Sequence, residues 1–101
     1  MRTDEIKYII KNGENIRVEF KVSKNKLPSN LFETICAFLN TKGGVILLGI
    51  EDDGNLLGIN KEFVDKFKKD IANLSNNPEK LDPTFIISVN EYTLENKGDQ
   101  Q

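Results

Sequence analysis

Three carboxylates in this chain stand where acids can do chemistry together. Glu14 lies just before a run of strictly alternating residues, Glu19 sits within that run, and Asp52 follows an apolar hexapeptide, Val45 to Ile50. Two neighbouring strands would bring these acids to one region of a sheet. Clustered carboxylates repel one another and are best tolerated when a cation sits between them. Oxygen donors of this kind suit Mg²⁺ or Mn²⁺, ions that activate water for phosphodiester cleavage. Lys21 shares the face of Glu19 and is placed to contact a phosphate. The bland alternative is a solvated strand face at Glu19 and Lys21 with Asp52 as a turn former, since exposed acids are ordinary.

Residue counts restrict the chemistry further. The chain has 101 residues, no histidine, no tryptophan and one cysteine. Without an imidazole there is no Ser-His-Asp or Cys-His nucleophile system. One thiol and no imidazole also cannot supply the nitrogen and sulfur ligands of a zinc site. Hydrolysis must therefore run on carboxylates, lysines and hard, oxygen-bound metals. The single Cys36 excludes an intramolecular disulfide and sits in an apolar helical segment as a small core residue. The first residues carry charges and lack the apolar stretch of a signal peptide, and the longest apolar run is far short of a membrane span. The expected setting is cytoplasmic.

A second candidate is Asn40-Thr41-Lys42-Gly43-Gly44, where glycine amides and a lysine can cradle a phosphate. A plain helix stop before a buried strand explains the same residues. Gly44 and Gly49 have the outer glycine spacing of a P-loop, but Ile50-Glu51 stand where Lys and Ser/Thr are required, so there is no P-loop. Arg17, Lys21, Lys24, Lys26 and Lys42 form a basic group suited to a nucleic-acid backbone. Residues 1–50 carry eight Lys/Arg against five Asp/Glu, whereas residues 51–101 carry six against eleven. With an overall charge of −2 and a pI near 5.2, any basic patch must be local.

The elements that must position these residues follow from periodicity and capping. Thr3-Asp4-Glu5 predicts a helix start with Thr3 as N-cap, Ile6, Ile9 and Ile10 its apolar face, and Asn12-Gly13 its stop. Residues 16–22 predict a strand with Ile16, Val18, Phe20 and Val22 inward and Arg17, Glu19 and Lys21 outward. A lysine-bearing loop leads to a helix capped by Ser29 or Asn30, with Asn30 and Glu33 at capping-box spacing. Leu31, Ile35, Phe38 and Leu39 line its buried face. Val45–Ile50 reads as a central strand covered on both faces, and Leu56–Ile59 as its hairpin partner after the turn at Asp52–Asn55. Asn60 caps a helix whose stripe is Phe63, Val64, Phe67, Ile71 and Leu74. A last strand is expected from about Thr84 to Thr93. The order α-β-α-β-β-α-β predicts an α/β (α+β) fold, a small mixed sheet packed with helices. A turn composition at Glu95–Asp99, with only two residues after it, suggests a chain cut from something longer and an open sheet edge available for homodimer pairing.

Taken together, the motifs resemble the AlbA-like Schlafen domain family. Glu14 to Lys21 resembles its E-x-x-x-x-E-F-K start, Ile35 to Gly44 its I-x-A-F-A-N-T-x-G-G segment, and Val45 to Gly58 its strand followed by G-V-D-D-x-G-x-x-x-G. Leu39 replaces the usual alanine, and Glu51 replaces an aspartate while keeping the charge. The resemblance implies an AlbA-like domain over residues 1–101, an N-terminal fragment of a longer bacterial transcriptional regulator that binds DNA. In vertebrate Schlafen proteins the related domain is a metal-dependent endoribonuclease whose three acids fall on Glu14, Glu19 and Asp52. The resemblance thus implies two functions. One is nucleic-acid binding through Arg17, Lys21, Lys24, Lys26 and residues Asn40, Thr41, Lys42, Gly43 and Gly44. The alternative is a nuclease with Glu14, Glu19 and Asp52 on Mg²⁺ or Mn²⁺ and Lys21 beside them.

Overall fold

A computed structural model of the chain describes residues 2–75 and 90–94. Helix α1 spans Thr3–Asn12, strand β1 Val18–Lys21, helix α2 Leu31–Leu39, strand β2 Val45–Leu48 and helix α3 Lys61–Ser75. This is a small mixed α/β fold. The helix start lies one residue before the expected cap: Arg2 holds the N-cap position, its N–H donates to the Glu5 carboxylate at 2.6 Å, and its carbonyl accepts the Glu5 and Ile6 amides. Asp4 and Glu5 in the first turn and Lys11 in the last suit the helix dipole. Gly13, at φ +84°, ends the helix with its amide on the Ile9 carbonyl.

β1 and β2 pair in parallel, Val18 with Val45 through Lys21 with Leu48. Parallel neighbours need a crossover, and α2 supplies it. In this register Glu19 and Lys21 share a face with Ile46 and Leu48, while Val18 and Phe20 share the other with Val45 and Leu47. Ile46 and Leu48 pack against the cluster of Leu31 and Ile35 from α2 and Ile71 from α3, joined by Leu27, Phe32, Cys36 and Leu39. Burying a side chain of this size stabilises by about 1.5–3 kcal/mol. On the opposite face Phe20 is also buried, at 1 % exposure. In α3 Phe67 is buried and stacks on Phe63, with ring centroids 5.8 Å apart.

The alternating strand is realised only over its centre. Ile16 is 90 % exposed and Val22 50 %, so neither faces inward. The chain reverses at Asn15–Val18, which takes Ile16 out of the strand, and the Gly49 and Ile50 amides both converge on the Lys21 carbonyl, which closes the ladder before Val22. The polar side of β1 is only partly a solvent face: Glu19 keeps 40 % side-chain exposure, whereas Lys21 is closed off against Asn30 at the start of α2. Val45–Leu48 are each half-buried, and burial is complete only at Gly49 and Ile50. The expected strand at Leu56–Ile59 reduces to a single antiparallel bridge, Ile50 with Leu56. The Leu57 and Gly58 amides both donate to the Gly49 carbonyl, so no regular ladder can continue. The expected strand from Thr84 lies largely outside the described residues; positions 90–93 are not strand, and Glu91 is held to α3 by Lys68 at 3.1 Å. The turn expected at Glu95–Asp99 lies outside them altogether. Among the described residues, no helix is long and apolar enough to cross a membrane.

Candidate nucleic-acid interface

The acids come first. The reversal at Asn15–Val18, closed by reciprocal amide–carbonyl bonds of 3.1 Å, folds Glu14 back along β1, and its Oε2 accepts the Phe20 amide at 2.7 Å. That carboxylate therefore lies at the peptide joining Glu19 to Phe20. The Glu19 carboxylate stands 3.8 Å from the Lys21 ammonium. Asp52 is exposed, in the turn that follows β2, where Asn55 binds Glu51 and Asp53. Local structure thus brings the Glu14 carboxylate to the backbone of Glu19 and Phe20, while the Glu19 carboxylate faces Lys21. Among the described residues, no group of three Cys, Asp or Glu side chains is arranged to hold a metal ion. The oxygen donors suit a hard cation in type, but this arrangement does not assemble its shell.

Lys21 is turned inward. Its side chain is only 9 % exposed, and its ammonium donates to Asn30 Oδ1 at 3.0 Å while facing Glu19. Asn30 is the N-cap residue of α2 but makes no side-chain cap bond, because that oxygen serves Lys21 instead. The expected Asn30–Glu33 capping box is therefore absent. The carbonyl of Asn30 receives both the amide and the hydroxyl of Thr34. Lys21 ties β1 to the start of α2, and its charge is committed there.

The remaining cations divide between the two ends of the β-α-β unit. At the amino ends of the strands, Arg17 precedes β1 and Lys42 precedes β2, both exposed. Their segments touch: the Val45 amide donates to the Arg17 carbonyl at 2.8 Å, and a Cβ on Gly44 would stand 2.7 Å from that oxygen and 2.9 Å from the Phe38 ring. Only a glycine fits that approach. The loop is held by the Phe38 carbonyl, which accepts the Thr41 amide, the Thr41 hydroxyl and the Gly43 amide. Gly43 therefore spends its N–H internally, so a paired-glycine phosphate cradle is not formed. Asn40 and Thr41 are exposed, and Lys42 carries the loop's charge.

At the carboxyl ends, Lys24 and Lys26 project from a pinned loop. Buried Ser23 donates to the Lys26 carbonyl at 2.8 Å, Asn60 donates its amide to the Lys24 carbonyl at 3.0 Å, and its side chain binds Asn25. Four residues of strand, roughly 13 Å, separate these lysines from Arg17 and Lys42. Glu51, Asp52 and Asp53 follow β2 at the same end as Lys24 and Lys26, so the potential there is mixed. The single basic group expected from sequence is in fact two groups with the largely covered Lys21 between them. Sequence reasoning missed Asn30 as the partner of Lys21. It also missed the turn that exposes Ile16, although Asn15 carried a signal, since its side chain accepts the Arg17 amide in an Asx turn.

Fold and site together define a small α/β domain that presents cations from irregular segments at the ends of a β-α-β unit. A family model described as Schlafen, AlbA_2 matches residues 14–99, and the chain belongs to that family. It is also similar to an uncharacterized ATP-binding protein of Ureaplasma parvum serovar 3, with 35 % identity over 91 residues. That match covers 87 % of this chain and 25 % of the relative, so the chain spans about a quarter of the relative's length. No solved structure matches the chain significantly.

Proposed function

We propose that this chain is a nucleic-acid-binding domain, with duplex DNA its ligand and a bacterial transcriptional regulator its context. The observation that carries the reading is the joined pair of segments at the amino ends of the strands. Arg17 and Lys42 are exposed on two backbone segments tied by the 2.8 Å Val45–Arg17 bond, so the segments that carry them are joined before any ligand arrives. A backbone that is already ordered adds no loop-ordering cost when the side chains meet phosphates. Membership of the Schlafen, AlbA_2 family supports a nucleic-acid-related role. The end bearing Lys24 and Lys26 is the weaker candidate because of its neighbouring acids.

A duplex titration over a range of salt concentrations tests this. Binding is expected at low salt, and Arg17→Gln and Lys42→Gln are each expected to lower the salt slope by about one phosphate contact. Lys24→Gln is expected to change it less. No binding to any duplex at low salt overturns the reading.

A second reading is a Mg²⁺- or Mn²⁺-dependent nuclease, favoured by the placement of the Glu14 carboxylate beside the Glu19 peptide. With Asp52 not grouped with them among the described residues, no step through an ion is derived. Incubation with tRNA and Mn²⁺ tests it, with circular dichroism confirming that Glu19→Ala is folded: cleavage lost in the folded variant supports the nuclease, and cleavage that survives the substitution excludes it. The relative's description as ATP-binding belongs to a much longer chain, of which the match covers 25 %. In this chain Ile50-Glu51 stand where a P-loop needs Lys and Ser/Thr, so the residues between Gly44 and Glu51 give nucleotide binding no support. Homodimerisation through a sheet edge is a separate part of the reading, and a concentration-independent monomer in sedimentation would remove it.

A further inference from the structure

The turn at Asn15–Val18 places an isoleucine where the fold gains nothing from it. Ile16 is 90 % exposed. Turn tips favour Gly, Pro, Asn and Asp, whereas a β-branched residue favours a half-buried strand. The tip is also stiff. Asn15 and Val18 exchange amide–carbonyl bonds of 3.1 Å, Asn15 Oδ1 accepts the Arg17 amide at 2.8 Å, and the Arg17 carbonyl is anchored by Val45. Its neighbour across the contact is Gly44, which has no side chain to shield it. Arg17 adjoins Ile16 in the turn, and Lys42 lies two residues from Gly44 in the abutting loop. The nearest acid, Glu14, has its carboxylate drawn back to the Phe20 amide.

A stiff, exposed apolar tip with a cation beside it and a second on the abutting loop has the features of a wedge for stacked bases. Proteins that bend DNA from the minor groove insert apolar side chains between base steps while neighbouring cations hold the phosphates. We propose that Ile16 is such a wedge, entering one base step of duplex DNA while Arg17 and Lys42 hold the flanking phosphates. This inference rests on the nucleic-acid-binding reading above. Pyrimidine–purine steps such as TA unstack most readily, so they are the preferred target.

The test uses duplexes of about 30 base pairs, end-labelled for energy transfer, carrying either a central TA step or a stiff A-tract. The wild-type chain is expected to raise transfer on the TA duplex and much less on the A-tract. Ile16→Ser is expected to keep the wild-type salt slope and melting temperature, lose the bend, and bind the TA duplex on the order of tenfold more weakly. Ile16→Leu is expected to restore the bend. Wild-type binding without a bend, or an unchanged bend in Ile16→Ser, overturns the wedge and leaves the binding reading standing. No complex with any duplex overturns both. Equal affinity for double-stranded RNA, whose minor groove is wide and shallow, overturns the assignment to DNA.

Discussion

Replacing Gly44 by alanine is the most direct test of the geometry on which the interface depends. Gly44 does not use the left-handed backbone region, so conformation alone would permit an alanine. The obstacle is steric. The new Cβ would lie 2.7 Å from the Arg17 carbonyl oxygen and 2.9 and 3.0 Å from two carbons of the Phe38 ring. The oxygen cannot retreat without breaking its 2.8 Å bond to the Val45 amide, and the ring, carried on the last turn of α2, is half-buried. Forcing a methyl group into such a contact costs about 1–3 kcal/mol. Restricting the unfolded chain offsets roughly 0.4–1 kcal/mol of that. The net loss of about 1–2 kcal/mol corresponds to a fall in melting temperature of roughly 5–15 °C for a domain of this size. Circular dichroism melting reads it, with Gly43→Asn as the comparison. Gly43 has φ +85° and nothing within 4 Å of a Cβ, and asparagine tolerates that backbone region, so this variant is expected to stay close to wild type. A Gly44→Ala protein melting within about 2 °C of wild type would refute the close approach of turn and loop, and with it the joining of the segments that carry Arg17 and Lys42.

Other outcomes follow from the buried cation and from α1. Glu19→Ala leaves the nearly buried Lys21 ammonium with only Asn30 and is expected to destabilise by about 1–3 kcal/mol. Lys21→Met removes the charge, keeps an apolar stem, and is expected to cost less than about 1 kcal/mol, since Glu19 is 40 % exposed and returns to water. Urea titrations showing the reverse order would contradict the placement of Lys21. At the chain start, the hydrogen bond from the Arg2 guanidinium holds the Asp4 carboxyl below its ordinary value of 3.8. A depressed carboxyl stabilises above its unfolded pKa, and that contribution is lost as pH falls through the folded pKa. Amide exchange in the first turn of α1 is therefore expected to accelerate as pH drops below about 4, once corrected for intrinsic rates. Asp4→Asn is expected to flatten that dependence. Because both groups are fully exposed, the effect is small and fades with added salt.

Much of the fold was legible because helix periodicity is a local property. Ile6, Leu31, Ile35, Phe67 and Ile71 were all placed on apolar stripes by spacing, and all are buried. The parallel β-α-β unit follows from two strand-like runs with a helix between them. The same patterns misled where hydrogen bonding overrode them. Alternation placed Ile16 in the core, but the Asx turn at Asn15 reverses the chain first. Apolar content made Leu56–Ile59 a strand, but two amides on one Gly49 carbonyl break the ladder.

By itself the sequence determined which chemistry is available: no imidazole, one thiol, carboxylates and lysines, and motifs specific enough to indicate the family. It also determined the three helices and the two strand-like runs between them, because periodicity depends on neighbours within a few residues. Tertiary structure alone decided which charges act together. Lys21 and Arg17 are four residues apart in one alternating run, yet one is sealed against α2 and the other stands exposed. Arg17 and Lys42 are 25 residues apart, yet their backbones are joined through Gly44 and Val45. Side-chain direction alternates along a strand and is therefore readable, whereas what covers each face depends on how the crossover helix lies, and no local pattern encodes that.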